Sequence, residues 1–305
     1  MTGGPTRASP DSRAIPKPAS PATRSILITG TSTGIGRACA VRFASLGYHV
    51  FGTVRTPEDA RRIAADLGDS VTPLLLDVTD ADQIAAVASQ VTEAVGQRGL
   101  IALVNNAGIV AAGPLEYLPV REFRRQLEVN VIGQLAVTQA LLPLLRKATG
   151  RIVMISSISG RVSLPLAGAY GASKFALEAM SDALRLELRH WNLHVSLIEP
   201  GRIDTPIWRT SLAHGERVLA AAPPGLVERY GPLINAVRRM ATKETGGSPV
   251  EEVVRAVEHA VTAPRPRVRY VVGRDAKLRR LLTWLPDRLS DWLIARQLER
   301  MRQRR

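Results

Sequence analysis

Seven short apolar runs, separated by stretches with helical spacing, limit what this 305-residue chain can fold into. Ser25–Thr29, His49–Val54, Val71–Leu76, Ile101–Val104, Arg151–Ser156, His194–Ile198 and Val268–Val272 read as strands. Between them, I-G-R-A-C-A-V-R-F-A-S-L over 35–46 reads as a helix stopped by Gly47, and Thr56-Pro57-Glu58-Asp59 opens another with a capping threonine and a proline at the first helical position. The runs do not alternate apolar with polar residues. They are apolar throughout, as strands covered on both faces are. Alternation of such strands with helices predicts an α/β doubly wound fold with a mostly parallel, seven-stranded sheet.

The first run leads into Thr29-Gly30-Thr31-Ser32-Thr33-Gly34-Ile35-Gly36, which opens the first helix. Glycines let a backbone approach a pyrophosphate closely, and a helix N-terminus offers unpaired N–H groups and a favourable dipole. Gly30 through Gly36 are therefore candidate cofactor contacts in a Rossmann-type domain spanning 25–275. A carboxylate for the ribose hydroxyls of NAD is expected at the end of the second strand, but Val54-Arg55 stands there instead. Arg55 can pair with the 2′-phosphate of NADP(H); alternatively it is a solvated turn residue and the cofactor is NAD(H). Asp77, followed by Val78 at the end of the third strand, can accept from an adenine amino group or cap the next helix, as Thr79 and Asp80 also can. Asn105-Asn106-Ala107-Gly108 follows the fourth strand and on its own is a turn signal.

Tyr170-Gly-Ala-Ser-Lys174 carries the chemistry. Tyr and Lys at i and i+4 share one helix face, which brings an ammonium near a phenol. A phenol is a poor base near neutrality, and an adjacent cation is expected to lower its pKa toward the working range. Ser157, thirteen residues earlier, can hold a substrate oxygen as charge develops there.

Composition bounds the rest. With 45% hydrophobic and 22% charged residues the chain is that of a globular protein. Its formal charge is +14, carried mainly by arginine. There is no interleaved basic and aromatic patch, so no specific nucleic-acid role is expected. The single cysteine, Cys39, fits a reducing compartment and reads as a buried helix residue. Residues 1–24, rich in Pro, Ser and Thr, read as a disordered leader without a secretory signal's apolar core. No run of 18 apolar residues occurs, and a cytoplasmic protein is expected. Residues 203–250, broken by Pro206, Pro223, Pro224 and Gly246-Gly247, read as a substrate lid or a disordered loop. The tail, 276–305, places leucines and Trp292 at helical spacings. Residues 274–305 hold ten basic and four acidic side chains, and Pro286 is expected to kink or divide the tail helix. Such a segment can lie on a membrane interface, pack on the core or a second subunit, or stay disordered.

Taken together, T-G-T-S-T-G-I-G, N-N-A-G, E-V-N-V-I-G, I-S-S at 155–157, Y-G-A-S-K and E-P-G-R-I-D-T at 199–205 resemble the short-chain dehydrogenase/reductase family over residues 25–205, and more loosely to about 275. The resemblance implies a catalytic tetrad of Asn130, Ser157, Tyr170 and Lys174, with the asparagine acting through its backbone. It also implies cofactor contacts from Asn106, Ala107, Gly108, Pro200, Gly201, Ile203 and Thr205, besides Tyr170 and Lys174. Stretches such as S-S-I-S-G-R-V-S-L-P and S-D-A-L-R-L-E-L are similar to the retinol and 17β-hydroxysteroid dehydrogenase branch. The expectation is a hydride-transferring oxidoreductase of lipophilic alcohols and ketones or aldehydes using NADP(H), with NAD(H) the alternative. Leu164 and Trp208 are candidate substrate-lining residues, no metal is implied, and a homo-oligomer with peripheral membrane contact through the tail is expected. A 3-oxoacyl thioester reductase and a non-catalytic dinucleotide-binding protein are the competing readings.

Overall fold

The computed structural model describes residues 24–207, 211, 215–216, 225–242 and 247–303. Most of the expected leader, Trp208 and much of the expected lid lie outside these residues. Seven parallel strands, β1 (Ser25–Ile28), β2 (His49–Val54), β3 (Val71–Leu75), β4 (Ala102–Asn105), β5 (Arg151–Ile155), β6 (His194–Pro200) and β7 (Arg269–Val272), form one sheet in the order β3-β2-β1-β4-β5-β6-β7. This is the doubly wound α/β architecture that the alternation predicts.

Consecutive strand residues point to opposite faces, so a strand covered on both sides feeds two cores. Ile26 and Ile28 pack on one face with Phe43, Val104, Val153 and Val257, while Leu27 packs on the other with Leu103, Met154, Leu141 and Leu177. Helices α1 (Gly34–Ser45), α2 (Pro57–Leu67), α3 (Ala81–Val95), α4 (Val120–Leu127), α5 (Gly133–Lys147), α6 (Gly168–Glu187), α7 (Leu226–Thr242) and α8 (Val250–Thr262) complete the layers. Thr56 caps α2, accepting from the Asp59 N–H with Pro57 in the first turn. Pro73, which donates no backbone hydrogen bond, lies in the edge strand β3, where that is tolerated.

β1 and β4 are neighbours, and strand order reverses between them. Their carboxyl ends therefore open the crevice in which such sheets bind ligands. Along one wall, α4 runs through a π-helical turn (Glu128–Ile132) into α5, giving one continuous helix, Val120–Lys147. That helix is long and apolar enough to cross a membrane by length and composition, yet it packs against α3, α6 and β4. The tail divides after Leu282 into α9 (Arg274–Leu282) and α10 (Asp287–Gln303), with Pro286 at the break, and α10 lies against α7.

Candidate active site

A cleft of about 500 Å³ occupies the crevice, and the β1–α1 loop builds its floor. Gly30 and Gly34 adopt φ of 70° and 59°, which favours glycine, and a Cβ on Gly30 would come within 3.0 Å of the Ala107 Cα. Thr33 precedes α1 but makes no side-chain cap, so the first N–H groups of the helix stay available where Thr33, Gly34 and Ile35 line the cleft. Thr31 and Gly36, expected among the cofactor contacts, are not lining residues. Thr31 is fully buried and ties the loop to β2, its N–H and hydroxyl both donating to the Thr53 carbonyl. Gly36 lets α1 press on the Gly30 carbonyl and the Asn106 amide. Thr29 is equally structural. Its hydroxyl accepts from the N–H groups of Asn106 and Ala107 at 2.8 and 2.9 Å, which fixes the Asn-Ala-Gly turn beside β1.

At the far end, Ser32, Thr53, Val54, Arg55, Leu76, Asp77 and Val78 surround the opening. Asp77 does not cap α3. Asp80 does, accepting from the N–H groups of Asp82 and Gln83. Partial burial raises the Asp77 pKa, but the Thr79 N–H and hydroxyl, with Arg55 and Arg125, outweigh it and hold the carboxyl below its ordinary value. Among the described residues, the charged groups lining the cleft are Arg55, Arg125 and Lys174 against Asp77 alone. Three cations to one carboxylate, around an uncapped helix N-terminus, fit a multiply anionic dinucleotide.

The tetrad residues come together at the other end, where Asn130, Ser157, Tyr170 and Lys174 all line the cleft. Asn130 lies in the π turn, and its side chain is occupied. Oδ1 accepts from the Ile109 N–H, while Nδ2 donates to the Ile109 carbonyl and to Ser173 Oγ, at 2.9, 3.0 and 3.1 Å. Gln126 does the same one turn earlier for Ala111 and Ile109. Lys174 is 5% exposed, and Nζ donates to the Ile155 carbonyl at 2.7 Å, leaving two of its three donors for other partners. Nζ lies 5.7 Å from the centre of the Tyr170 ring. Burial pushes the ammonium down from 10.5 to about 8, with Glu178 opposing.

Tyr170 departs from expectation. Burial raises its pKa, the Ser157 hydroxyl pulls it back, and the phenol stays above its ordinary value. The expected acidification is not seen because burial disfavours the phenolate more than the Ser157 hydrogen bond favours it.

Pro200, Gly201, Ile203 and Thr205 also line the cleft, joined by Pro206, Ile207 and Ser211. Leu164 is not a lining residue, and Trp208 lies outside the described residues. Ile109, Val110, Ala111, Val129 and Ile155 make much of the inner wall apolar; sequence reasoning missed them, since each looks like ordinary core. Cys39 is buried with its thiol pushed up to about 12, so it is inert. Among the described residues no His, Cys, Asp and Glu cluster can hold a metal. A smaller hollow of about 380 Å³ at the amino end of β6, among Arg185, Arg189, His194 and Pro266, holds none of the converging groups.

A glycine-floored cleft at the β1/β4 switch, with Ser, Tyr and Lys converging on one end, is the arrangement of a dinucleotide-dependent oxidoreductase. The short chain dehydrogenase model matches residues 24–215, and the chain belongs to that family. The likeness runs to the retinol dehydrogenase branch: mouse (Mus musculus) retinol dehydrogenase 5 is 38% identical over 285 residues, covering 89% of each chain. An NADPH-dependent 3-dehydrocapnine reductase from Ornithobacterium rhinotracheale is 35% identical over 92% of this chain and 99% of its own. A Burkholderia cenocepacia short chain dehydrogenase solved with NADP superposes with a TM-score of 0.68 at 27% identity, covering 90% of this chain and 98% of that one.

Proposed function

We propose that the chain interconverts a lipophilic alcohol and its ketone or aldehyde using NADP(H), with Tyr170 carrying the proton. The convergence of Ser157, Tyr170 and Lys174 in the cleft is the observation that carries this reading. When bound, the dinucleotide supplies or accepts a hydride at its nicotinamide ring. Ser157 holds the substrate oxygen, and Tyr170 exchanges the hydroxyl proton with it. A phenol held above its ordinary pKa is protonated at neutral pH, ready to donate to the oxygen of a carbonyl being reduced. Lys174 has donors left for the ribose hydroxyls, and Asn130 shapes the wall against Ile109. Arg55, lining the mouth where NAD-binding chains carry a carboxylate, supports NADP(H) over NAD(H). The names of the reductase from Ornithobacterium rhinotracheale and of the NADP complex support the same choice. The apolar inner wall suits a lipophilic substrate.

The test is NADPH oxidation and NADP reduction across long-chain ketones, aldehydes and alcohols, retinoids, steroids and 3-oxoacyl thioesters. Turnover confined to the thioesters, or tighter binding of NADH than NADPH, contradicts the reading.

Membrane contact through the tail is a second proposal. Leu278 and Leu281 on α9, Leu289 and Trp292 on α10, and Trp284 in the break between them are all exposed, among arginines. Exposed apolar groups beside cationic ones suit the interface of an anionic bilayer.

A further inference from the structure

Residues 200–205 leave the end of β6 and wall the cleft between the serine and the glycine loop. At one end the Pro200 carbonyl accepts from the Ser157 hydroxyl at 3.4 Å. At the other, Thr205 packs on Gly34, where a Cβ would lie 3.5 Å from the Thr205 Cβ. Pro200, Gly201, Ile203 and Thr205 all line the cleft. Beyond β6, however, the strand pairing shrinks to a bridge between Ile203 and Ser248. The groups that hold this wall from behind therefore decide where it stands.

Backbone bonds supply part of the hold. The Gly201 N–H donates to the Val272 carbonyl at 2.9 Å, the Ser248 N–H to the Arg202 carbonyl at 2.8 Å, and the Asp204 N–H to the Ser248 carbonyl at 3.2 Å. Asp275 adds a side-chain bond, its Oδ2 accepting from the Arg202 N–H at 2.9 Å. It stands half-buried in the first turn of α9, where the tail begins. Gly273, at φ 98°, turns the chain from β7 into that helix. Two glycines leave the carboxylate its seat. A Cβ on Gly201 would overlap it, and one on Gly273 would lie 3.0 Å from Oδ1. An acidic residue in a first turn also gains from the helix dipole, but that gain does not require its oxygen to meet a backbone N–H of another segment.

Resting on the dinucleotide cleft of the proposed function, we propose that Asp275 is a positioning residue: its carboxylate holds the 200–205 wall in place for the nicotinamide half of the cofactor. The first turn of the tail thereby belongs to the cofactor site. The test is calorimetric titration of the full chain with NADP and with adenosine 2′,5′-bisphosphate, which lacks the nicotinamide half. Asp275→Ala should weaken NADP binding about tenfold, the worth of a hydrogen bond to a charged acceptor, and leave the bisphosphate within about twofold. Asp275→Asn loses the charge but keeps an acceptor oxygen, and should hold NADP within about threefold. A merely structural role would lower the stability of the variants and move both ligands together. If Asp275→Ala does not fold, Asp275→Ser takes its place, since the serine hydroxyl ends one atom short of the carboxylate oxygen. Unchanged NADP affinity, an equal loss for both ligands, or a loss in Asp275→Asn as large as in Asp275→Ala overturns the proposal. Because binding needs no turnover, NADP binding of the predicted pattern in a chain that reduces no carbonyl would sink the catalytic reading alone.

Discussion

Thr29→Val isolates the device that holds the floor of the cleft. The Thr29 side chain is fully buried, and its oxygen accepts from the N–H groups of Asn106 and Ala107 while donating to the Val104 carbonyl at 3.5 Å. Valine keeps the β-branched shape, so neither a cavity nor a change in strand propensity enters. What is lost is the acceptor for two partly buried backbone donors. Each such orphan costs about 1–3 kcal/mol, so the variant should lose about 2–6 kcal/mol. In a domain of this size that corresponds to a Tm lower by roughly 5–15 °C. The assay is urea unfolding and calorimetry, with Thr29→Ser as the control that keeps the hydroxyl and drops only a methyl. NADPH affinity, followed by fluorescence, should weaken alongside, because the Asn106–Gly108 turn lines the cleft. A loss below about 1 kcal/mol with unchanged affinity would refute the assignment of the turn to this hydroxyl.

Three more outcomes are expected. Arg55→Gln should weaken NADPH binding about tenfold or more while NADH binding stays within about twofold, since a charge-assisted pair to the 2′-phosphate is worth about 1.5–3 kcal/mol. Fluorescence titration with both nucleotides checks it. Lys174 titrates at about 8 in the fold against 10.5 unfolded, so between those values only the unfolded chain binds the extra proton, and its contribution to stability rises with pH across that window. Below about pH 8 the penalty is complete, and Lys174→Met should abolish the rise in urea midpoint measured between those limits. Replacing both Trp284 and Trp292 with serine should abolish co-sedimentation with phosphatidylserine vesicles; equal sedimentation removes the membrane proposal.

How much of this was legible in the sequence depends on where the determining contact lies. β2, His49–Val54, and the Thr56–Pro57 helix start match the reading because each is decided within a few residues. β6 runs to Pro200, beyond the expected Ile198, because its last rungs pair with Val271 and Val272 far along the chain. The π turn around Asn130 left no trace in E-V-N-V-I, since it is set by side chains that reach Ile109 and Ser173. The loop motif marked the floor of the cleft but did not separate the residues that line it from Thr31 and Gly36, which hold it together. Spacing placed a lysine near a tyrosine, yet burial, which decides the phenol's pKa, is a property of the fold. The charge of +14 was equally ambiguous until arginines such as Arg161 and Arg269 were seen paired with buried carboxylates.

Tyr170→Phe removes one oxygen atom and leaves the ring, the cleft and the cations in place. The account predicts that single-turnover reduction of the best carbonyl substrate slows by about 10²–10⁴-fold while the NADPH dissociation constant stays within about threefold. Reduction within about threefold of the unmodified rate, at unchanged NADPH affinity, would mean that the proton comes from another group.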